Sequence, residues 1–280
     1  MNRLVVVLAG VLTLAGVPPA SSQQPKIVYV GGRAVEVIEM GTGVPTLVLE
    51  TGVGDGASVW RGVLPELAKH THVIAYSRAG HGRSGPITGV ATPGESVREL
   101  HALLGAMRER APVVLAGHSW GGLLARLYAS TYPADVAGIV LIDGSHELQW
   151  RRWEALRPSF HILDTVRALM PKMPPSGRAD FAQMLAVETS GRVEGMRPLP
   201  DIPLAVITAQ KPCAPEREWT CRAPRALAVW RELHGEWAAR STNSIHLVSA
   251  RTEHYVMNDQ PELVVQAVRF VLGATRPTKR

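Results

Sequence analysis

Cysteine is nearly absent: the chain has two in 280 residues. That excludes a small cysteine-stapled scaffold, and no Cys/His quartet at metal-ligand spacing accompanies the pair, so no metal site is expected. Aromatic residues make up only 5%. No apolar run reaches the ~20 residues that a membrane-spanning helix needs. Neither sign of charge prevails by much: 30 Lys and Arg against 24 Asp and Glu leave +6, scattered except for Arg276-Pro277-Thr278-Lys279-Arg280. Without a basic helical stripe or a nucleic-acid-binding motif, this excess reads as a solvated surface, and no nucleic-acid partner is expected. Collagen, coiled-coil and multi-span membrane classes are excluded by the same composition. What remains, 46% hydrophobic and 19% charged, is globular and long enough for one large α/β domain.

The first residues read as a targeting segment. Arg3 precedes an almost wholly apolar stretch, Leu4 to Val17, and Ala20-Ser21-Ser22 offers small residues for cleavage before Gln23. Residues 1–22 are therefore expected to be a secretory signal and 23–280 the functional domain, secreted or periplasmic, with no stable membrane anchor after cleavage. In an oxidising compartment Cys213 and Cys221 are expected to form a disulfide, free thiols being the alternative.

Strand and helix patterns alternate. Strands are expected at Ile27–Val30, Ala34–Glu39, Thr46–Glu50, His72–Tyr76, Val113–Gly117, Gly138–Asp143, Pro203–Thr208 and Ile245–Val248. Helices are expected over Trp60–Lys69, from a Thr92 cap with Glu95 in capping-box position to about Arg110, and over Leu123–Tyr132. Two more follow, over about Ala226–Ala239 and from about Pro261. Such alternation implies a mostly parallel sheet covered by helices on both faces, with an antiparallel edge from the opening hairpin. One stretch breaks the rhythm. Between the sixth and seventh strands, residues of about 146–201 carry Trp150, Trp153, Phe160, Leu163, Met170, Met173, Phe181 and Met184, which reads as a helical cap.

The chemistry follows the strand at Val113. Gly117-His118-Ser119-Trp120-Gly121-Gly122 places a serine between an apolar strand and a helix, with small residues on either side. A sharp strand-to-helix turn needs that spacing, because neighbouring backbone must pass without Cβ clashes. With these residues the chain resembles the α/β-hydrolase superfamily over nearly all of its proposed mature length. Three further segments carry the resemblance: Leu47–Gly54 looks like the oxyanion loop, Tyr76–Ser84 looks like the stretch Tyr-Asp-Arg-x-Gly-x-Gly-x-Ser with Ser77 in place of Asp, and Arg251–Pro261 looks like the histidine loop.

The resemblance implies Ser119 as nucleophile and His254 as base, the other nine histidines lying in strands, helices, turns or the cap. His118 is expected to point away from the nucleophile. The backbone N–H groups of Val53 and Trp120 hold the oxyanion positions of the family. The acid is less direct, because no carboxylate closes the seventh strand. Asp143 ends the sixth, beside the serine strand in the family's sheet order, with Glu216 and Glu218 as runners-up. The alternative for Asp143 is a loop cap on the backbone of Ser145 or His146. Asp201 lies at the wrong end of the sheet and Glu253 adjoins His254.

The expected activity is a serine hydrolase cleaving small-molecule carboxylic esters without metal, nucleotide or flavin. Trp60, Trp120 and the cap's Trp and Met residues suggest apolar or aryl esters. A lactonase, amidase or carbon–carbon bond hydrolase is the alternative, since fold does not fix substrate. A non-catalytic binding protein on the same scaffold is the rival from another class. Ser119 counts against epoxide hydrolases and haloalkane dehalogenases, which have Asp there.

Overall fold

The computed structural model of the chain describes residues 24–88, 91–156, 168, 170–212 and 224–275. Residues 1–23, the two cysteines, Glu216 and Glu218, and part of the expected cap lie outside the described residues.

Eight strands form one sheet: β1 (Lys26–Val30), β2 (Arg33–Met40), β3 (Leu47–Glu50), β4 (Val73–Tyr76), β5 (Val113–His118), β6 (Val136–Ile142), β7 (Leu204–Ala209) and β8 (Ser244–Ser249). Their spatial order is β1-β2-β4-β3-β5-β6-β7-β8. The β1–β2 and β2–β4 pairs are antiparallel and the rest parallel. The central strands β3 to β7 are buried almost throughout, as expected of strands covered on both faces.

Each face has its own core. On one, α2 (Pro93–Met107) and α3 (Trp120–Thr131) pack with Trp120, Tyr128 and Trp237 of α6 (Pro224–Ala238). On the other, the short α1 (Leu64–Leu67) and α8 (Pro261–Thr275) pack over Trp60, Val114, Ile142 and Ile207. Between β6 and β7, the described part of the insertion carries α4 (Gln149–Leu156) and α5 (Pro175–Ser190); α7 (Val256–Asp259) follows β8. No helix among the described residues is long and apolar enough to cross a membrane.

Two local expectations need correction. The helix expected over Trp60–Lys69 is a 3-10 turn at Ala57–Trp60 followed by the single turn of α1. Gly62 weakens helix propagation and Pro65 is suited only to a first turn, so the segment divides there. Trp60 and Trp120 were expected to line a pocket, yet both are fully buried, one in each core. The Thr92 cap forms half of its expected box: Thr92 Oγ1 accepts the Glu95 N–H at 3.1 Å, while the Glu95 carboxylate pairs with Arg98 instead of turning back to the cap.

Candidate active site

Ser119 leaves the carboxyl edge of β5 with φ 53° and ψ −122°, a left-handed conformation that costs a non-glycine residue ~1–3 kcal/mol. The surroundings enforce it. A Cβ on Gly117 would lie 2.2 Å from the Gly121 carbonyl oxygen, and one on Gly121 would lie 2.5 Å from that of Glu50. The turn is tied to the next strand: Ser119 N–H donates to Ile142 O at 3.1 Å, and Ser145 N–H donates to Ser119 O at 2.8 Å. Ser119 stays partly exposed while its neighbours His118 and Trp120 are buried. Trp120 opens α3, so its N–H has no intrahelical acceptor.

Asp143 and His254 are brought together. Asp143 Oδ2 lies 2.7 Å from His254 Nδ1. Its other oxygen accepts the Trp230 indole N–H at 2.7 Å and the Ala209 N–H at 2.9 Å. With three polar partners and no exposure, this carboxyl has one orientation. The loop-cap alternative is not realised: Ser145 N–H goes to Ser119, and His146 N–H goes to Gln149 Oε1. Asp201 accepts from Thr242 at the opposite end of the sheet, and the Glu253 carboxylate faces Lys211 at 3.3 Å. His254 has a side chain 38% exposed. With Nδ1 committed to Asp143, its Nε2 is the nitrogen left for proton exchange.

His118 does more than turn away from Ser119. Its Nε2–H donates to the His254 carbonyl at 2.9 Å, and the two rings stand 4.6 Å apart between centroids. Tyr255 packs on the same ring at 5.0 Å. A histidine next to Ser119 in the chain thus supports the loop that carries His254, a contact that its sequence position did not reveal.

The loop after β3 is built around buried ions. Arg78 Nη1 donates to Glu50 Oε1 at 2.5 Å, to Thr51 O at 2.7 Å and to Thr51 Oγ1 at 3.0 Å. Its Nη2 donates to Gly52 O and to Asp180 Oδ2, each at 2.7 Å. Asp180 belongs to α5 and also accepts the Gly54 N–H at 3.1 Å, with His81 Nε2 at 3.0 Å. Burial alone would raise the Asp180 carboxyl, but Arg78 and His81 outweigh it and bring its pKa down to about 2. Tyr76 donates to the same Glu50 carboxylate. Glu50, Arg78 and Asp180 are residues of the candidate site that sequence reasoning missed. The available signal was a glutamate ending a wholly apolar strand, since such a carboxylate stays buried only when paired. The departure at Ser77 also has a cause. Ser77 Oγ accepts the Ala57 N–H at 2.8 Å and donates to Glu36 Oε2 at 2.7 Å, so β2 supplies the carboxylate that the usual Asp would bring.

Other polar groups are structural. His246 and His234 both bond Thr208 Oγ1, each at 2.7 Å. Among the described residues no group of three or more His, Cys, Asp or Glu is arranged to hold a metal ion.

Known proteins resemble this chain in sequence and fold. Protein YqjL of Bacillus subtilis, itself uncharacterized, is 25% identical over 227 residues, spanning 80% of this chain and 81% of that protein. The 2-hydroxy-6-oxo-2,4-heptadienoate hydrolase of Pseudomonas putida is 36% identical over 156 residues, 53% of this chain and 52% of that one. Among solved structures, a thermophilic esterase from Thermogutta terrifontis superposes with a TM-score of 0.65 at 22% identity, covering 90% of this chain and 99% of that one. The family model for the alpha/beta hydrolase family matches residues 47–267, and the chain belongs to that family as a hydrolase.

Proposed function

We propose that the protein is a serine hydrolase that cleaves carboxylic esters through an acyl-enzyme on Ser119. Ser119 Oγ adds to the ester carbonyl as its proton passes to His254 Nε2. The carbonyl oxygen takes the negative charge and is received by the Val53 and Trp120 N–H groups. Collapse expels the alcohol, which takes the proton from His254. Water, activated by the same imidazole, then releases the acid. Asp143 holds the tautomer with the proton on Nδ1 and stabilises the imidazolium. The observation that carries this reading is the 2.7 Å contact between Asp143 and His254 beside a serine held in a left-handed turn.

Trp60 and Trp120 give no support for an apolar pocket, because neither is exposed. The preference for apolar or aryl esters rests on the insertion, where Trp153 and Phe181 are only half-buried. Hydrolysis of an oxo-dienoate on the same residues is the second reading, favoured by the 36% identity to the heptadienoate hydrolase.

A fluorophosphonate probe should label Ser119, identified by peptide mass, and Ser119→Ala should lower kcat on p-nitrophenyl esters by about 10⁶-fold with the fold unchanged. Wild-type turnover by that variant would remove the mechanism, and a chain that neither labels nor turns over an ester or an oxo-dienoate would favour the binding-protein reading.

A further inference from the structure

We propose that Asp180, on the insertion helix α5, is a positioning residue for acyl transfer: through Arg78 it fixes the direction of the Val53 N–H. The inference rests on the acyl-enzyme reading and concerns how its oxyanion donor is held.

The geometry runs through one peptide. The bond between Gly52 and Val53 is trans, so its C=O and N–H point in opposite directions. Arg78 Nη2 takes the Gly52 oxygen at 2.7 Å, which turns the Val53 N–H away from the guanidinium. Gly52 itself abuts the nucleophile, since a Cβ there would stand 3.3 Å from Ser119 Cβ. Arg78 is held in turn by two carboxylates, Glu50 at the end of β3 and Asp180 from α5, with side chains only 3–5% exposed. Asp180 also holds the Gly54 N–H, so the groups on both sides of Val53 hang from the same ion cluster. Glu50 and Arg78 come from the sheet. Asp180 is the one carboxylate of this cluster that arrives with the insertion, 102 residues from Arg78 in the chain. Without it, the Nη2 edge that grips Gly52 loses its counter-ion, and the Gly52 carbonyl is held less firmly, by an Arg78 anchored only through Nη1 and by the Asp55 N–H at 3.5 Å.

The experiment compares wild type with Asp180→Asn, which keeps size but removes the charge. Three quantities are read: kcat and KM on p-nitrophenyl butyrate, the inhibition constant of an alkyl trifluoromethyl ketone, and the pH profile of kcat/KM. The ketone adds to Ser119 Oγ, passes the serine proton to His254 and leaves its oxygen as an oxyanion, so its affinity reports the donors directly. We expect kcat to fall about 10- to 100-fold, below the ~10²–10³ ceiling for loss of one oxyanion donor, with KM within about threefold. The inhibition constant should rise by the same factor as kcat falls. The acid limb of the pH profile should stay in place, because the Asp143–His254 pair is untouched. If Asp180→Asn does not fold, Asp180→Glu keeps the charge but shifts the carboxylate by one methylene, and the same paired loss should follow. Unchanged kcat and unchanged ketone affinity in a folded variant of either kind would overturn the proposal and leave Asp180 a stabilising residue only. Failure of the underlying reading looks different: wild type would then form no ketone adduct and Ser119→Ala would retain activity.

Discussion

The two flanks of Ser119 hold their groups by different physics. Toward β6 and β8, Asp143 is enclosed but its partner His254 is more than one-third exposed, a side chain that can exchange a proton with something outside the protein. Toward β3 and β4, Arg78 and Asp180 are 4% and 5% exposed, and they grip backbone rather than one another alone. Under the proposed mechanism, one flank moves charge and the other keeps it still. The lesson is that a buried ion pair beside a candidate serine need not stand in line with the histidine and its carboxylate; here it bonds the backbone of a loop.

The comparison breaks most visibly at Asp143. Asp143→Asn should keep the fold and lower kcat by about 10⁴, as in well-studied serine triads, because the amide favours the wrong imidazole tautomer. A loss below about tenfold would mean that the proton-moving flank does not depend on this carboxyl. A smaller effect tests the support of Asp143 itself. Trp230 donates at 2.7 Å to Oδ1, the oxygen that does not face His254, and Trp230→Phe removes that bond while keeping an aromatic ring. A hydrogen bond to a charged group is worth ~1.5–3 kcal/mol, so kcat should fall by roughly tenfold to a hundredfold with KM nearly unchanged.

The least visible difference is in pH-dependent stability. His146 follows Asp143 closely; burial, with Arg126, His234 and Arg152 nearby, pushes its pKa from 6.5 to about 3. Its Nδ1 already accepts the Leu148 N–H at 3.0 Å, so the folded imidazole stays neutral. The unfolded chain protonates first. Stability from this residue is therefore full above pH 6.5 and falls as pH drops toward 3, with a slope approaching ~1.4 kcal/mol per pH unit. Asp180 behaves in another window. Its folded pKa is about 2 against an ordinary 3.8, so its contribution persists until pH falls below about 4 and is lost toward 2. Denaturant titrations from pH 7 to 4 should show a slope that His146→Gln reduces and Asp180→Asn leaves in place. Equal slopes for wild type and His146→Gln would refute the assignment.

How far these flanks were legible in sequence follows from the same contrast. Ser119 announces itself by local spacing, and Asp143 by its place at the tip of a strand whose neighbour is fixed by the fold. His254 follows the last strand, the only histidine to do so. Arg78 and Asp180 lack such marks. Arg78 lies in the family-like segment Tyr76–Ser84, where spacing alone gives it no role, and Asp180 lies in an insertion with no regular periodicity, so nothing in the chain pairs one with the other. Trp60 and Trp120 mislead for a related reason: pattern places an aromatic near a site but does not say which way its ring faces. His118 was turned the right way, yet its partner was a backbone carbonyl 136 residues distant.

Those separations have a consequence in time. Asp143 meets His254 across 111 residues, Arg78 meets Asp180 across 102, and Tyr255 approaches Asp55 across 200. Long-range closures of this kind form late in folding, after local helices and hairpins. Under the proposed mechanism, a refolding chain in which these loops have not yet met is inert toward esters, whatever the state of its sheet. Under that mechanism, regain of hydrolysis after dilution from denaturant should trail the far-ultraviolet signal, and simultaneous recovery would show that these contacts form together with the helices and sheet.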